Sequence, residues 1–292
     1  MNGNSTRHAF NPLVAVVALL TIGAGFIGSP SSYASAVWPN EPAGATVITD
    51  WGFNTITGSG WHDEGGDTGI VSDSTAPLSP GNVLQQRFSI GFAGGISPGN
   101  DWYVFTPTRE IYLGFWWKAN AGWQAHPTGI NKLIFVSTED GSNPFVLMMY
   151  GQNPYSLAFV YQNIGIDNSH ISGFPGVTGT VLWPGGASLV PGNWYRIELY
   201  MKLSTTSTSR DGIIKWWANG VQAGNLTTVN FAQAGFSSVP IVPIWGGTGS
   251  SKTQTDYFWY DHIHLSLPSG GTTSDQPPGP PAAPSLRAVT VP

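Results

Sequence analysis

The sequence predicts an all-β chain folded as a two-sheet antiparallel sandwich, and three observations predict it. Glycine and proline are abundant, 38 and 23 of 292 residues, beside 13% aromatic and only 9% charged residues. Glycine and proline punctuate turns, while aromatic and β-branched residues fill pleated faces. No segment sustains the 3.6-residue period of an amphipathic helix. Instead, apolar segments of strand length follow one another with turn signals and no helices between them, the pattern of two stacked sheets. The length suits a jelly-roll sandwich better than an immunoglobulin domain of ~100 residues.

Each element has its own reason. Asn82–Ile90 (NVLQQRFSI) reads as a strand that ends in the glycine-rich GFAGGISPGN. Arg109–Ala119 alternates, with Tyr112, Trp116 and Lys118 on one face and Leu113, Phe115 and Trp117 on the other. NKLIFVST, PFVLMMYG and YSLAFVYQN follow in quick succession, as in an antiparallel meander. GNWYRIELYMKLS turns Tyr195, Ile197, Leu199, Met201 and Leu203 inward. Its outward residues are Arg196, Glu198 and Lys202, which predicts a cross-strand ion pair for Glu198. RDGIIKWWANGVQ closes in Asn219–Gly220, a hairpin signal. DYFWYDHIHLSLP is a long closing strand, on which His262 and His264 are expected to share a face with Phe258 and Tyr260 as structural imidazoles.

Three regions are expected: a signal peptide over 1–36, the sandwich over 37–268, and a Gly/Ser/Pro-rich linker or tail over 269–292. The first has Arg7 and His8, an apolar run from Leu13 to Ile27, and a small-residue site at Ala34–Ala36. That run falls short of the ~20 residues of a membrane-spanning helix. The tail is extended and proline-rich. An extracellular or periplasmic monomer follows, free of the membrane once the leader is removed. The chain has no cysteine, which excludes disulfides, a thiolate nucleophile and a cysteine-ligated zinc. Eleven basic against 16 acidic residues, with no basic run, argue against a nucleic-acid partner.

Familiar hydrolytic motifs are missing: there is no Gly-x-Ser-x-Gly and no His-Glu-x-x-His. A Glu-x-Glu or Glu-x-Asp pattern would place two carboxyls on one strand face for glycosidase chemistry, and neither Glu110 nor Glu198 starts one. HDEGGDTG (His62–Gly69) reads as a solvated acidic loop, with Asp63, Glu64 and Asp67 as the alternative of a structural Ca²⁺ site. No cofactor or metal is required for the chemistry that remains.

A pair of carboxyls from different strands stays open, and one chemistry that needs no such pair is β-elimination from a uronic-acid polysaccharide. It needs a group that neutralises the uronate, a base for the C5 proton and an acid for the leaving oxygen. The chain supplies Gln86, Arg87, Arg109, Lys118, His126, Asn131, Lys132, Tyr150, Tyr161 and Gln162.

From about Val83 to Leu267 the chain resembles the concanavalin A-like jelly-roll proteins, especially the heparin-lyase and glucuronan-lyase types of polysaccharide lyase. The resemblance is carried by RFSIGFAGG, YLGFWWKANAGWQAHPTGINKLIF, GNWYRIELYMKL, DGIIKWWANG and WGGTGSSKTQTDYFWYDHIHLS. The Tyr-x-Lys-x-Gly-x-Tyr type of strand expected of such lyases is not matched, and PIVPIWGGTG stands near its place. On this reading His126 or Tyr161 is the base, Asn131 or Gln162 the neutraliser, and Lys132 or Arg87 grips the uronate. Lys118, Trp117, Trp123 and Trp245 complete the polysaccharide-binding set. Asn131 and Lys132 are adjacent on a strand and face opposite ways, so His126 and one of the two are expected in the site. Two alternatives remain: a non-catalytic binding module in which tryptophans stack on sugars, and a glycoside hydrolase of the same fold.

Overall fold

The computed structural model describes residues 37–268 except 59, 141–144, 165–167, 169, 172–177, 184–185 and 232–233. The side chains of 162–164 and 178–183 also lie outside this description, as do the predicted leader and tail. Among the described residues all sixteen elements are strands. The first eight are β1 (Thr46–Trp51), β2 (Trp61–Gly66), β3 (Thr68–Val71), β4 (Val83–Phe88), β5 (Gly99–Thr108), β6 (Glu110–Ala119), β7 (Ile130–Thr138) and β8 (Phe145–Tyr150). They continue as β9 (Tyr155–Ile164), β10 (Thr178–Trp183), β11 (Ser188–Leu189), β12 (Tyr195–Lys202), β13 (Gly212–Ala218), β14 (Val221–Val229), β15 (Phe236–Ile241) and β16 (Asp256–Leu267).

Two antiparallel sheets result. The first runs β14-β13-β12-β6-β16-β4-β3, with β1 also on β16; the second runs β10-β9-β8-β7-β15-β5-β2, with β11 on β9. Long crossovers place β6 between β12 and β16, so the sandwich is a jelly roll and no meander spans either sheet completely.

Alternation builds the core. On β6, Leu113, Phe115 and Trp117 join the inter-sheet cluster, while Tyr112, Trp116 and Lys118 point outward. Leu84, Phe88, Leu199, Trp216, Phe258 and Tyr260 come from the first sheet, and Leu133, Leu147, Phe159, Tyr161 and Trp245 from the second side. Buried aromatics with polar tips tie the layers together: the Tyr260 hydroxyl donates to the Leu133 carbonyl at 2.7 Å, and Trp216 Nε1 to the Leu157 carbonyl at 3.2 Å. Gln86 of β4 donates to Asp101 of β5 at 2.6 Å. Burial first, and the nearby Asp63 charge, push the Asp101 carboxyl up to about 7. The hairpin at Asn219–Gly220 is present, with φ of 48° and 80° as a tight primed turn requires.

Two expectations are corrected. His264 does not share a face with Phe258 and Tyr260, because the β16–β6 register shifts between Asp261 and Ile263. His262 takes up the shift at φ 64°, and every later side chain changes sides. His264 therefore lies on the outward face of the first sheet, stacked on Trp38 at 5.5 Å. Its Nε2 is 2.8 Å from Glu41, and Nδ1 is 3.4 Å from Asp50, an ion-pair contact. Burial alone would lower its pKa; the two carboxylates outweigh burial and hold it above the usual range. Glu198 does pair with Arg196, at 3.0 Å, but along one strand; Lys202 goes to Glu110 instead. Glu198 also accepts from the Tyr112 hydroxyl at 2.6 Å and from the Asn40 amide at 3.0 Å.

Trp38, Asn40 and Glu41 thus strap the chain before β1 across the first sheet, and Gly114 makes room for the indole. A Cβ at Gly114 would lie 2.5 Å from Trp38 Cε3. Gly114→Ala is expected to cost about 1–3 kcal/mol of unfolding free energy through overpacking. Urea denaturation checks this, and an unchanged midpoint would show that the strap does not press on the sheet.

Candidate functional site

The outward face of the second sheet is organised by β7. Asn131 pairs with Met149, which belongs to the inter-sheet core, and Lys132 pairs with Met148, which belongs to a separate cluster. That cluster comprises Phe135, Val146, Met148, Ala158, Val160, Val242 and Ile244, with Ile130 and Tyr150 packed against it. A register shift between Lys132 and Ile134 turns both Leu133 and Ile134 into the core, and Phe135 then rejoins Lys132 outside. The backbones of Lys132 and Ile244 exchange hydrogen bonds of 2.9 and 3.3 Å, so the lysine stands between Ile244 and Met148.

Its ammonium lies 5.5 Å from the Phe135 ring centroid. No carboxylate of the described residues pairs with it, and the residue is buried, 8% exposed. Burial pushes the Lys132 pKa down to about 8, since the charged form loses water and gains no partner. Tyr150 pairs with Ile130, two residues from Lys132, and is a diagonal neighbour about 7–8 Å away on the same face. Further along, Pro240 of β15 pairs with Trp102 of β5, and Trp102 stacks on the exposed His62 of β2 at 5.5 Å.

The predicted site residues do not converge here. His126 is 1% exposed and Asn131 is fully buried. Asn131 Oδ1 accepts from Trp123 Nε1 at 3.1 Å, and its Nδ2 donates to the Met149 carbonyl at 3.1 Å. Its amide is therefore spent inside the protein. The His126 ring packs edge-on to Trp245 at 4.8 Å and bonds Thr128 Oγ1 through Nδ1 at 2.8 Å. Burial first, and the Lys252 charge, hold its pKa below the usual range. The expectation that His126 leans over a groove with one partner is corrected: it turns inward with Asn131, and Lys132 points to the other side of the sheet, where it too is buried.

Tyr161 is equally unavailable as a base, being fully buried and stacked on Phe145 at 4.7 Å. Trp117, Trp123 and Trp245 lie in the core and offer no open face to a sugar. Arg87 and Lys118 stand on the far side of the sandwich, on the first sheet, paired with Asp67 and Asp73. The Gln162 side chain lies outside the described residues. In the acidic stretch the carboxylates diverge: Asp67 holds Arg87, Glu64 accepts from Asn100, and Asp63 accepts from the Gly65 amide. No group of three potential metal ligands occurs among the described residues.

Sequence reasoning missed a buried ion pair that fixes this end of the sandwich. Lys252 Nζ lies 2.5 Å from Asp256 and 2.8 Å from the Gln124 carbonyl, over the Trp123 ring at 3.6 Å. The only sequence signal was the i,i+4 spacing in KTQTD. It also missed the Trp102–His62 stack, which depends on the β2–β5 register.

His126 fills a gap bounded by Gly94 and Gly246, where a Gly246 Cβ would lie 1.8 Å from the ring. His126→Ala should cost about 2 kcal/mol or more by leaving a cavity. Thermal and chemical denaturation measure this, and native-like stability would contradict a packing role.

The chain's sequence matches no protein-family model and no curated protein sequence. Solved structures resemble it in fold. An endo-β-1,4-glucuronan lyase from the fungus Trichoderma reesei aligns with TM-score 0.52 at 17% identity, over 76% of this chain and 95% of its own. An alginate lyase from Chlorella virus gives 0.54 at 13% identity, over 76% and 99%. A third, an alginate lyase mutated at a lysine and a tyrosine and bound to alginate tetrasaccharide, gives 0.50 at 15%, over 70% and 96%. The chain has the jelly-roll sandwich fold that these polysaccharide lyases share.

Proposed function

We propose that this chain is an exported polysaccharide lyase that cleaves a uronate-containing polymer by β-elimination, with Lys132 as the base. The observation that carries the proposal is a lysine on an apolar sheet face whose pKa burial lowers to about 8. A lysine so placed is part neutral amine near physiological pH, as proton abstraction requires. The leader-like residues 1–36 support export. The fold shared with glucuronan and alginate lyases supports a polysaccharide substrate.

In the reaction the neutral Lys132 amine takes the proton from C5, beside the uronate carboxyl. The C5–H electrons form the C4=C5 double bond as the C4–O4 bond breaks, and the leaving oxygen takes up a proton. Tyr150, diagonal to Lys132, is the phenol placed to supply that proton. The Lys132 ammonium formed in the first step faces the charge growing on the uronate carboxyl, so one side chain serves as base and electrostatic stabiliser. Asn131 cannot serve as neutraliser, since its amide bonds are made in the core.

Lys132→Ala is expected to lower kcat/KM by about 10²–10⁴-fold, the contribution of a general base. Lys132→Arg should be equally inactive, because a guanidinium keeps both charge and proton; activity retained in Lys132→Arg would refute the base assignment. The base works deprotonated, so kcat/KM should rise roughly tenfold between pH 7 and pH 9, with a midpoint near 8. Absorbance of the unsaturated product on glucuronan, alginate, heparinoids and pectins reads all three. Retention of a polymer without unsaturated product would favour the non-catalytic binding module.

A further inference from the structure

We infer that the outward face of the first sheet binds a polysaccharide segment by stacking on Trp259 and Trp194, on the opposite side of the sandwich from Lys132. The inference stands on that face alone and does not need Lys132 to be a base. One cross-strand row carries it. Gly69 of β3 pairs with Gln85 of β4, Gln85 with Trp259 of β16, and Trp259 with Lys118 of β6. Tyr195 pairs with Trp117, so Trp194, directly before β12, continues the row beside Lys118. These positions, at ~4.8 Å between strands, span roughly 19 Å, room for more than one sugar. Phe258 and Tyr260 point into the core, so Tyr257 and Trp259 stand outside. Both of these and Trp194 are half-buried rather than enclosed.

Polar groups hold these rings in place. Trp259 Nε1 donates to Gln85 Oε1 at 3.1 Å, and Trp194 Nε1 to Thr75 Oγ1 at 3.1 Å. The Lys118 ammonium lies against both indoles, 4.7 Å from the Trp194 centroid and 4.9 Å from that of Trp259. Tyr257 lies nearly parallel to Trp259 at 5.4 Å. Aromatic rings fixed in this way before a ligand arrives reduce the ordering cost of binding. At the far end Gly69 leaves the row open, since a Cβ there would meet nothing within 4 Å.

Charge and area identify the occupant. The cations beside the row are already paired, Lys118 with Asp73 and Arg87 with Asp67, so charge does not choose the ligand. Three half-buried aromatic side chains of ~150–250 Å² each leave roughly 200–400 Å² open together. A stable protein partner covers ~800 Å² a side, so a second copy or another protein fits poorly. The apolar face of a sugar ring needs only one indole, and the amide and hydroxyl groups of Gln85 and Thr75 border the rings where sugar hydroxyls would lie.

The test is affinity electrophoresis of the full chain through gels holding xylan, glucomannan, mixed-linkage β-glucan, alginate or glucuronan, with unsaturated product followed separately. Retention by at least one polymer is expected, and it should persist over a tenfold rise in salt because no ion pair with the ligand is involved. Trp259→Ala and Trp194→Ala should each weaken it severalfold, Trp259→Tyr should keep most of it, and Lys132→Ala should leave it intact. Gly69→Glu fills the open end without replacing an indole and should weaken retention too, which keeps the inference testable if an indole variant unfolds; circular dichroism checks the fold of each. Undiminished retention by the folded indole variants, retention lost in salt or in Lys132→Ala, or no retention by any polymer overturns the inference, while product formation leaves the lyase reading standing. Indole-dependent retention without product does the reverse. A dimer in sedimentation that Trp259→Ala abolishes would assign the face to a second copy and also overturn the inference.

Discussion

A two-residue period decides on which side of each sheet every strand side chain stands, and the rest of this structure depends on it. Adjacent residues on a strand cannot share a face. Asn131 and Lys132 show the consequence: one amide is consumed by Trp123 and Met149 in the interior, while the neighbouring amine emerges on the opposite side among Met148, Ile244 and Phe135. Where the period slips, whole segments change sides. The shift after Lys132 keeps Leu133 and Ile134 together in the core, and the shift at His262 sends His264 out to Glu41.

Some buried polar groups are tied to named partners, while others, among them Trp117 Nε1 and Asp101 Oδ1, have none. Lys252 and Asp256 are both fully buried, and their contact closes the loop after β15 onto the loop after β6. Removing one member of such a pair leaves an uncompensated charge, worth about 3–5 kcal/mol. Tryptophans serve the same end: Trp123 stacks on Phe258 at 4.1 Å, lies under the Lys252 ammonium and donates to Asn131. Among the described residues Trp51, Trp61, Trp117, Trp123, Trp216 and Trp245 lie in the core of this disulfide-free chain.

Regular strands made the fold legible in the sequence. The two faces of β6 and β12 follow their alternation residue by residue, and Asn219–Gly220 marks its turn by chemistry alone. The site was legible only where it rested on the same rule, in the opposition of Asn131 and Lys132. Which of the two faces outward was not, because it depends on partners distant in sequence: Met149 and Met148 on β8, and Ile244 past β15. His126 misled for a related reason. A histidine in a loop reads as mobile and polar, yet Gly94 and Gly246, distant in sequence, lack the Cβ atoms that would have displaced its ring.

Lys132 carries an implication for how sequences with this fold would drift. An amine held on an apolar face lowers the stability of the folded chain wherever it must be charged, and a methionine of similar length would pack beside Met148 without that cost. Selection for folding alone would replace it early. A lysine kept at this position across otherwise divergent chains would mark those that still use the face, and leucine or methionine there would mark chains that retain only the sandwich.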